Sequence, residues 1–300
     1  MQHHAKNKSR DCRQDVIYYA VCYTVIAILT LLVLYPIVYV VSASFSSGAA
    51  IAAGRVWLYP VDFSLRGYQA VLKYRNVWIG YRNTIFYTVT GTIINVILTL
   101  VCAYPLARKN LRGRSFFTFL FTFTMIFSGG MIPGYLLVKQ LHMINTVWAM
   151  LLPGAMSVYN MIVTRTFIQS TIPDDLLEAA KIDGCSDTRF FFRIVLPLSK
   201  AVIAVIALFY AVGHWNAYFN AFLYLSDKSL YPLQIFLKDI LVQNQFSADL
   251  VDPEIVAEMQ NMQAILKYSM IVVSTAPLFC FYPFAQKHFV KGVMIGSVKG

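Results

Sequence analysis

The chain has 300 residues, of which 58% are hydrophobic and only 13% are charged, and its mean hydropathy is +0.59. An ordinary soluble domain is about 25% charged, so this composition excludes a soluble domain and indicates an all-α, polytopic membrane protein. The net charge of +11 would suit nucleic acid in a soluble protein, but the basic residues here bracket apolar runs, as membrane topology requires. We therefore expect membrane lipid, and no nucleic acid, as a partner. The five cysteines have no paired spacing, so neither a disulfide framework nor a metal site is predicted.

Six apolar segments are long enough to cross the hydrocarbon core, which takes about 20 helical residues. They cover residues 16–41, 83–107, 115–138, 146–167, 201–225 and 267–285. Together they predict a transmembrane domain over residues 16–285, with a tail of residues 1–15 before it and a tail of residues 286–300 after it. Gly129-Gly130 and Pro153-Gly154 predict breaks or kinks in the third and fourth spans. A signal peptide is the alternative for the first span, although the run exceeds the usual signal core of about 7–15 apolar residues.

The basic residues predict the topology. Sixteen of the 25 lysines and arginines lie in the two tails, in the 108–114 loop and in residues 165–200. Cytoplasmic loops carry the excess of basic residues, so both termini and the segment between the fourth and fifth spans are predicted to be cytoplasmic. The segment 226–266 is then extracytoplasmic, and it holds six of the 14 acidic residues.

Residues 169–200, between the fourth and fifth spans, form a polar segment inside an otherwise apolar protein. Thr171 followed by Pro173 and Asp174 is typical of a helix start, and it predicts a helix over residues 171–183. The acidic side chains of the first turn would lie near the positive end of the helix dipole, which should make this helix well formed.

Gly184 predicts the end of that helix, because glycine readily takes the left-handed conformation. A second helix is expected from about Ser186, which makes the segment a helical hairpin. The first helix carries small side chains that would let another surface approach closely, and acceptors of hydrogen bonds: Ala179 and Ala180, and Glu178 and Asp183. These residues leave two interpretations, a hairpin on which a soluble partner docks and an interfacial hairpin that only tethers two spans.

The hairpin also resembles a known signature. Glu178-Ala179-Ala180, then Asp183-Gly184, then Ile194-Val195-Leu196-Pro197 resemble the EAA motif of the membrane subunits of ABC importers. The whole chain resembles carbohydrate-uptake permeases of the maltose-transporter type, and more narrowly their lipoprotein/polysaccharide-uptake branch. The supporting stretches are residues 127–133, 213–220 and 289–300. Cys185 stands where the family usually has Ala. Ala201 stands where the family often has a Pro after the Leu-Pro pair.

The resemblance implies a type I ABC importer permease fold in a bacterial cell membrane. It implies ATP-driven, binding-protein-dependent import of carbohydrate, in particular oligosaccharides or polysaccharide fragments. The implied protein partners are a homologous second permease, two ATP-binding cassette subunits and an extracytoplasmic solute-binding protein, for which the segment 226–266 offers a surface. ATP and Mg would be bound by the ATPase subunits, and this chain would hold no cofactor.

The resemblance also implies which residues contact the ATPase. In that family the hairpin fits a cleft on the ATPase subunit, so the coupling residues would be Glu178, Ala179, Ala180, Asp183 and Gly184. Related permeases send their C-terminal tail into the ATPase dimer, so the tail contacts would be Gly296, Ser297, Val298, Lys299 and Gly300. A frayed end is the alternative for this tail.

The sequence contains no GxxxxGK[ST] phosphate loop, no Gly-x-Ser-x-Gly elbow and no His-Glu-x-x-His zinc motif. The chain is therefore predicted to be a transport subunit and not an enzyme. An ion-coupled secondary transporter or channel is the alternative function. Such carriers place carboxylates within their spans, whereas all 14 acidic residues lie outside the predicted spans here.

Polar side chains at membrane depth are the candidates for a substrate pathway. Aromatic faces with amide and imidazole donors suit a sugar, and the fifth span carries His214, Trp215, Asn216, Tyr218 and Asn220. Thr92 and Asn95 in the second span are further candidates. The alternative is that these groups join neighbouring helices by hydrogen bonds.

Overall fold

The computed structural model describes the backbone of residues 13–242 and 253–297 and the side chains of residues 15–241 and 258–280. Within these ranges every regular element is helical, as predicted. The α-helices are α1 (Arg13–Ser44), α2 (Gly48–Ala52), α3 (Arg66–Lys73), α4 (Arg75–Ala107), α5 (Arg114–Ile126), α6 (Met131–Gln140), α7 (Trp148–Leu151), α8 (Val158–Thr171), α9 (Asp174–Ile182), α10 (Asp187–Phe190), α11 (Leu196–Leu198), α12 (Lys200–Trp215), α13 (Phe219–Tyr224), α14 (Leu233–Val242) and α15 (Pro253–Ser297).

Two short elements complete the described chain. A π-helical turn over Phe191–Val195 joins α10 to α11, and a 3-10 turn covers Lys228–Leu230. Of the predicted tail contacts, Val298, Lys299 and Gly300 lie outside the described residues. Gly296 and Ser297 are described by their backbone alone, at the end of α15.

In the described chain, three helical segments are long and apolar enough to cross a membrane alone: Asp15–Ser44, Arg75–Ala107 and Glu258–Cys280. Two bent pairs raise this number to five if each pair is one span, namely α5 with α6, bent by 112°, and Asp187–Leu198 with α12, bent by 78°. The fourth predicted span, 146–167, is not among them, because it is divided between the 4 residues of α7 and the 14 residues of α8. The count of six spans stays a prediction.

Helix breaks occur at both predicted places. α5 ends before Gly130, which has φ of 84°, and Gly154, with φ of 71°, lies between α7 and α8. Both angles fall in the left-handed region that favours glycine. The fifth predicted span contains a further break, between Trp215 and Phe219, that the sequence did not predict. There Asn216 donates its side-chain N–H to the Val212 carbonyl (3.0 Å), a local bond that competes with the backbone at a helix end.

The chain forms two compact units, residues 1–70 with 246–272 and residues 71–245 with 273–300. In the first unit, Gly48 lies so close to Asn261 that an added Cβ would be 2.3 Å from the Asn261 carbonyl oxygen. Within the described part of α1, none of its most apolar 18-residue window is buried. A helix that is apolar all round and unburied suits a lipid environment.

α4 is the central helix of the second unit and packs against α8, α12 and α14. Near its start, Asn83 Nδ2 donates to the carbonyls of Ser229 (2.7 Å) and Tyr231 (3.0 Å), and the Tyr87 hydroxyl donates to the Leu230 carbonyl (2.9 Å). α4 therefore holds the 3-10 turn at one end. The other end of this 33-residue helix lies against the hairpin of residues 169–200.

Candidate coupling site and substrate pathway

The hairpin of residues 169–200, called the coupling hairpin below, begins differently from the prediction. Thr171 is the last residue of α8 and Pro173 occupies the N-cap of α9 with no side-chain cap bond, so the predicted Thr171 cap and the helix start at 171 are wrong. The physical reason is Pro173, because a proline pushes the residue before it out of the helical region. Ile172 accordingly has φ of −123° and ψ of 87°.

The turn of the hairpin matches the prediction. Gly184 has φ of 75°, and the amides of Gly184 and Cys185 donate to the carbonyls of Lys181 (3.0 Å) and Ala180 (2.9 Å), which closes the end of α9. Ser186 caps α10 by accepting a bond from the Arg189 amide (3.3 Å). These bonds fix the angle between the two helices locally.

A small apolar core holds the hairpin to the helices before it. It is formed by Ala107, Ile168, Ile172, Leu177, Ala180, Phe190 and Val195. Ala180 is 9% exposed and packs inward against this core, and its predicted contact with the ATPase stays a prediction. Its small size lets α9 lie close to the core of its own chain.

The outer surface of the hairpin is formed by the other predicted coupling residues. Glu178, Ala179, Asp183 and Gly184 are all exposed. Ile182 joins them with 87% of its surface exposed, and the sequence interpretation missed it. Helical spacing could have predicted this exposure, because Ile182 lies four residues after Glu178 and three after Ala179. It therefore shares their face of α9, away from Leu177.

A buried arginine anchors the start of the hairpin. Arg108, 7% exposed, directs Nη1 to Asp174 Oδ1 at 3.4 Å, and its guanidinium lies 5.0 Å from the Tyr104 ring centre and 5.2 Å from that of Phe190. Lys109 Nζ is 3.3 Å from the other Asp174 oxygen. The hairpin is thereby tied to the loop that follows α4.

The end of α4 is also capped by α8. Arg165 Nε donates to the Leu106 carbonyl (3.0 Å) and Gln169 Nε2 donates to the Ala107 carbonyl (3.2 Å). Carbonyls in the last turn of a helix have no partner within it, so these bonds satisfy groups that would otherwise be left open. The hairpin, α8 and the end of α4 are thus joined by side-chain contacts.

Three of the pathway candidates form hydrogen bonds between helices. The Asn95 amide, oriented so that all its polar atoms are paired, accepts from His214 Nε2 (3.1 Å) and donates to the carbonyls of Gly91 (2.8 Å) and Ala155 (3.1 Å). Trp215 is 6% exposed and its indole N–H donates to the Ser274 carbonyl (3.0 Å). These contacts favour helix packing as the role of His214, Asn95 and Trp215.

The remaining pathway candidates lie at the break between α12 and α13. Asn216 and Tyr218 are exposed and Asn220 is half-buried. In the second span, Thr92 Oγ1 is buried and has no hydrogen-bond partner within the described chain. A role in the substrate pathway stays a prediction for all of these residues.

An all-helical membrane protein with a polar hairpin braced against the end of α4 has the type I ABC importer permease fold, and the comparisons agree. The chain belongs to the family of binding-protein-dependent transport system inner membrane components, whose model matches residues 77–295. It is thus a multi-pass membrane permease subunit and is not itself catalytic.

Similar proteins cover nearly the whole chain. Protein LplC of Bacillus subtilis is 42% identical over 268 residues, covering 88% of this chain and 89% of LplC. The polygalacturonan/rhamnogalacturonan transport system permease protein YtcP of the same organism is 40% identical, covering 93% and 96%. A solved bacterial ABC transporter involved in the import of the acidic polysaccharide alginate matches with a TM-score of 0.83 and 36% identity, covering 94% of this chain and 99% of that chain. None of these favours an ion-coupled carrier.

Proposed function

We propose that this chain is the permease subunit of an ABC importer that takes up oligosaccharides derived from acidic, uronate-containing polysaccharides. The observation that carries this proposal is the likeness to one relative named for polygalacturonan/rhamnogalacturonan transport and one structure named for alginate import. Both named substrates are polymers of sugar acids, and both matches cover more than nine-tenths of the chain.

The proposed partners are a second, homologous permease, two ATPase subunits that bind ATP and Mg, and an extracytoplasmic solute-binding protein. The hairpin seats Glu178, Ala179, Ile182, Asp183 and Gly184 in a cleft of an ATPase subunit. When ATP closes the ATPase pair, the cleft carries the hairpin with it. The anchoring of the hairpin at Arg108 and at the end of α4 supports this step, since a firmly held hairpin passes rigid-body motion to the spans.

The proposed orientation follows from the same partners. The hairpin and both termini are cytoplasmic, and the chain crosses the membrane six times. The acidic segment 226–266 faces the solute-binding protein, and residues 296–300 contact the ATPase dimer. The excess of basic residues on the hairpin side supports this orientation.

Uptake by the complete importer in proteoliposomes tests the proposal. We expect import of labelled oligogalacturonate that requires ATP and the binding protein, and little import of a neutral oligosaccharide of equal length. Gly184→Pro should abolish uptake with the complex still assembled, because proline cannot adopt φ of 75°. Thr188→Ala, an exposed change on the same hairpin, is the matched control and should transport normally. Uptake driven by an ion gradient without ATP, or unimpaired uptake by Gly184→Pro, would refute the mechanism.

A neutral substrate would refute only the substrate class. In that case, uptake would still need ATP and the binding protein, and the same hairpin variants would still abolish it.

A further inference from the structure

A cavity of about 580 Å³ lies between the start of α5 and α8, at the hairpin end of the second unit. It is lined by Arg114, Ser115, Thr118, Phe119, Thr122 and Arg165. Its volume falls within the roughly 300–1,000 Å³ of small-molecule sites. No lining residue belongs to the coupling surface or to the pathway candidates.

Two guanidinium groups line this cavity without a carboxylate beside them. Within the described chain neither Arg114 nor Arg165 forms an ion pair, whereas Arg108 and Lys109 nearby both pair with Asp174. The bond from Arg165 Nε to the Leu106 carbonyl fixes that guanidinium and leaves its two terminal nitrogens for a ligand. A guanidinium fork matches the oxygens of a phosphate group, so the cavity suits an anion of this kind.

A hydroxyl group beside the cavity also needs a partner. Thr118 Oγ1 is buried and has no hydrogen-bond partner among the described residues. Leaving a buried hydroxyl unpaired is costly. Thr118 lies one helical turn beyond Arg114 on the same face of α5 and its side chain lines the cavity. Its Oγ1 is turned away from the cavity, and a rotation of the unpaired hydroxyl toward it would let Oγ1 donate to an oxygen of a ligand held by the arginines.

One residue of the cavity lining, Phe119 on α5, is apolar. Phe119 is 65% exposed, and the cavity extends from Arg114 to Thr122, two helical turns or roughly 12 Å along α5. A free phosphate would fill only the charged mouth. A phospholipid carries a phosphate that the arginines can bind and acyl chains that can cover the exposed Phe119 ring.

We propose that this cavity binds the headgroup of an anionic phospholipid. The phosphate lies between Arg114 and Arg165, an ester oxygen accepts from Thr118 Oγ1, and an acyl chain runs along Phe119. The bound lipid contacts both α5 and α8, and α8 leads directly into the coupling hairpin at Thr171. Lipid composition would therefore act on the same helix that anchors the hairpin.

Native mass spectrometry of the complete importer in mild detergent tests this site, with phosphatidylglycerol or phosphatidylcholine added. We expect retained phosphatidylglycerol on the wild type, and at least about fivefold less on Arg114→Gln, the effect of one cation at a lipid surface. Thr118→Val keeps the side-chain shape and should also reduce retention, which separates the site from a folding defect. Arg112→Gln removes an equal charge from an exposed side chain of the same loop, outside the cavity, and should retain lipid as the wild type does.

Three results would overturn the proposal. Equal retention of phosphatidylcholine would exclude recognition of an anionic headgroup. An equal loss in Arg112→Gln would show a diffuse surface charge instead of a site. Displacement of phosphatidylglycerol by excess inorganic phosphate would assign the cavity to free phosphate. The measurement needs no transport, so a failure of the proposed function would leave its result unchanged.

Discussion

Replacing Arg108 by methionine should loosen the coupling hairpin without stranding a charge. The side chain is 9% exposed, and the change removes its ion pair with Asp174 and its contacts with the rings of Tyr104 and Phe190. Asp174 is 30% exposed and keeps Lys109 and water as partners. Two ring contacts of about 0.5–2 kcal/mol each and a partly exposed ion pair of up to about 1 kcal/mol give a range of about 1–5 kcal/mol, and we expect a cost near its middle, about 2–3 kcal/mol.

Asp174→Asn should cost more, about 3–5 kcal/mol, because it leaves the Arg108 charge buried without a counter-ion. No other hydrogen bond of the guanidinium would compensate for this loss, since its Nε and Nη2 are already buried without a partner in the described chain. The double variant should cost less than the sum of the two single variants, because methionine removes the charge that the Asn change leaves unpaired.

Hydrogen exchange of the amides of α9 and α10, measured on the assembled importer in nanodiscs, reports the local opening of the hairpin. A cost of about 2–3 kcal/mol corresponds to roughly 30–150-fold faster exchange in Arg108→Met. Lys109→Met is the control: its side chain is 80% exposed, so exchange should change less than about fivefold. The reasoning would be refuted if Asp174→Asn were milder than Arg108→Met, if the two changes were additive, or if Lys109→Met had the same effect as Arg108→Met.

The structure predicts the outcomes of four further variants. Gly184→Ala should cost about 1–2 kcal/mol through its backbone conformation alone, since φ is 75° and no atom lies within 4 Å of the new Cβ; a thermal unfolding temperature equal to wild type would contradict this. Gly91→Ala should cost about 1–3 kcal/mol because its Cβ would lie 2.3 Å from His214 Nε2, whereas Gly213→Ala, with nothing within 4 Å, should be neutral or stabilising. Equal unfolding temperatures for these two variants would disprove the tight contact. Trp215→Phe should lower stability by about 1 kcal/mol through loss of the indole hydrogen bond and leave the range of imported saccharides unchanged; an altered range would return Trp215 to the substrate pathway.

The parts of the hairpin that depend on nearby residues could be predicted from the sequence. Gly184 and Ser186 act on their own turn, and both do what their residue types indicate. The start of α9 was misplaced because two local rules compete there. Thr171 is a good N-cap, but Pro173 excludes helical geometry at Ile172, and the steric effect of the proline prevails.

The parts that depend on distant residues could not be predicted. Ala180 looks like a contact residue in the sequence because nothing local shows that Phe190 and Ile168 cover it. Arg108 was counted only as one of the basic residues that set the topology, and its pairing with Asp174 joins residues 66 positions apart. The role of His214 likewise depends on Gly91 and Asn95, 119 residues from His214 in the second case.

α4 is held by side-chain contacts at both of its ends. Its 33 residues span about 50 Å, so a tilt of about 5° moves one end by roughly 4 Å relative to the other. At one end α4 contacts the coupling hairpin. At the other end Asn83 and Tyr87 donate hydrogen bonds to the carbonyls of residues 229–231. Because coupling between two sites is reciprocal in binding free energy, a protein that binds the 228–231 turn better at one tilt of α4 would favour the matching position of the hairpin, and a partner of the hairpin would favour the matching position of the turn. In the proposed importer, docking of a loaded binding protein on this turn would be coupled through α4 to the coupling hairpin.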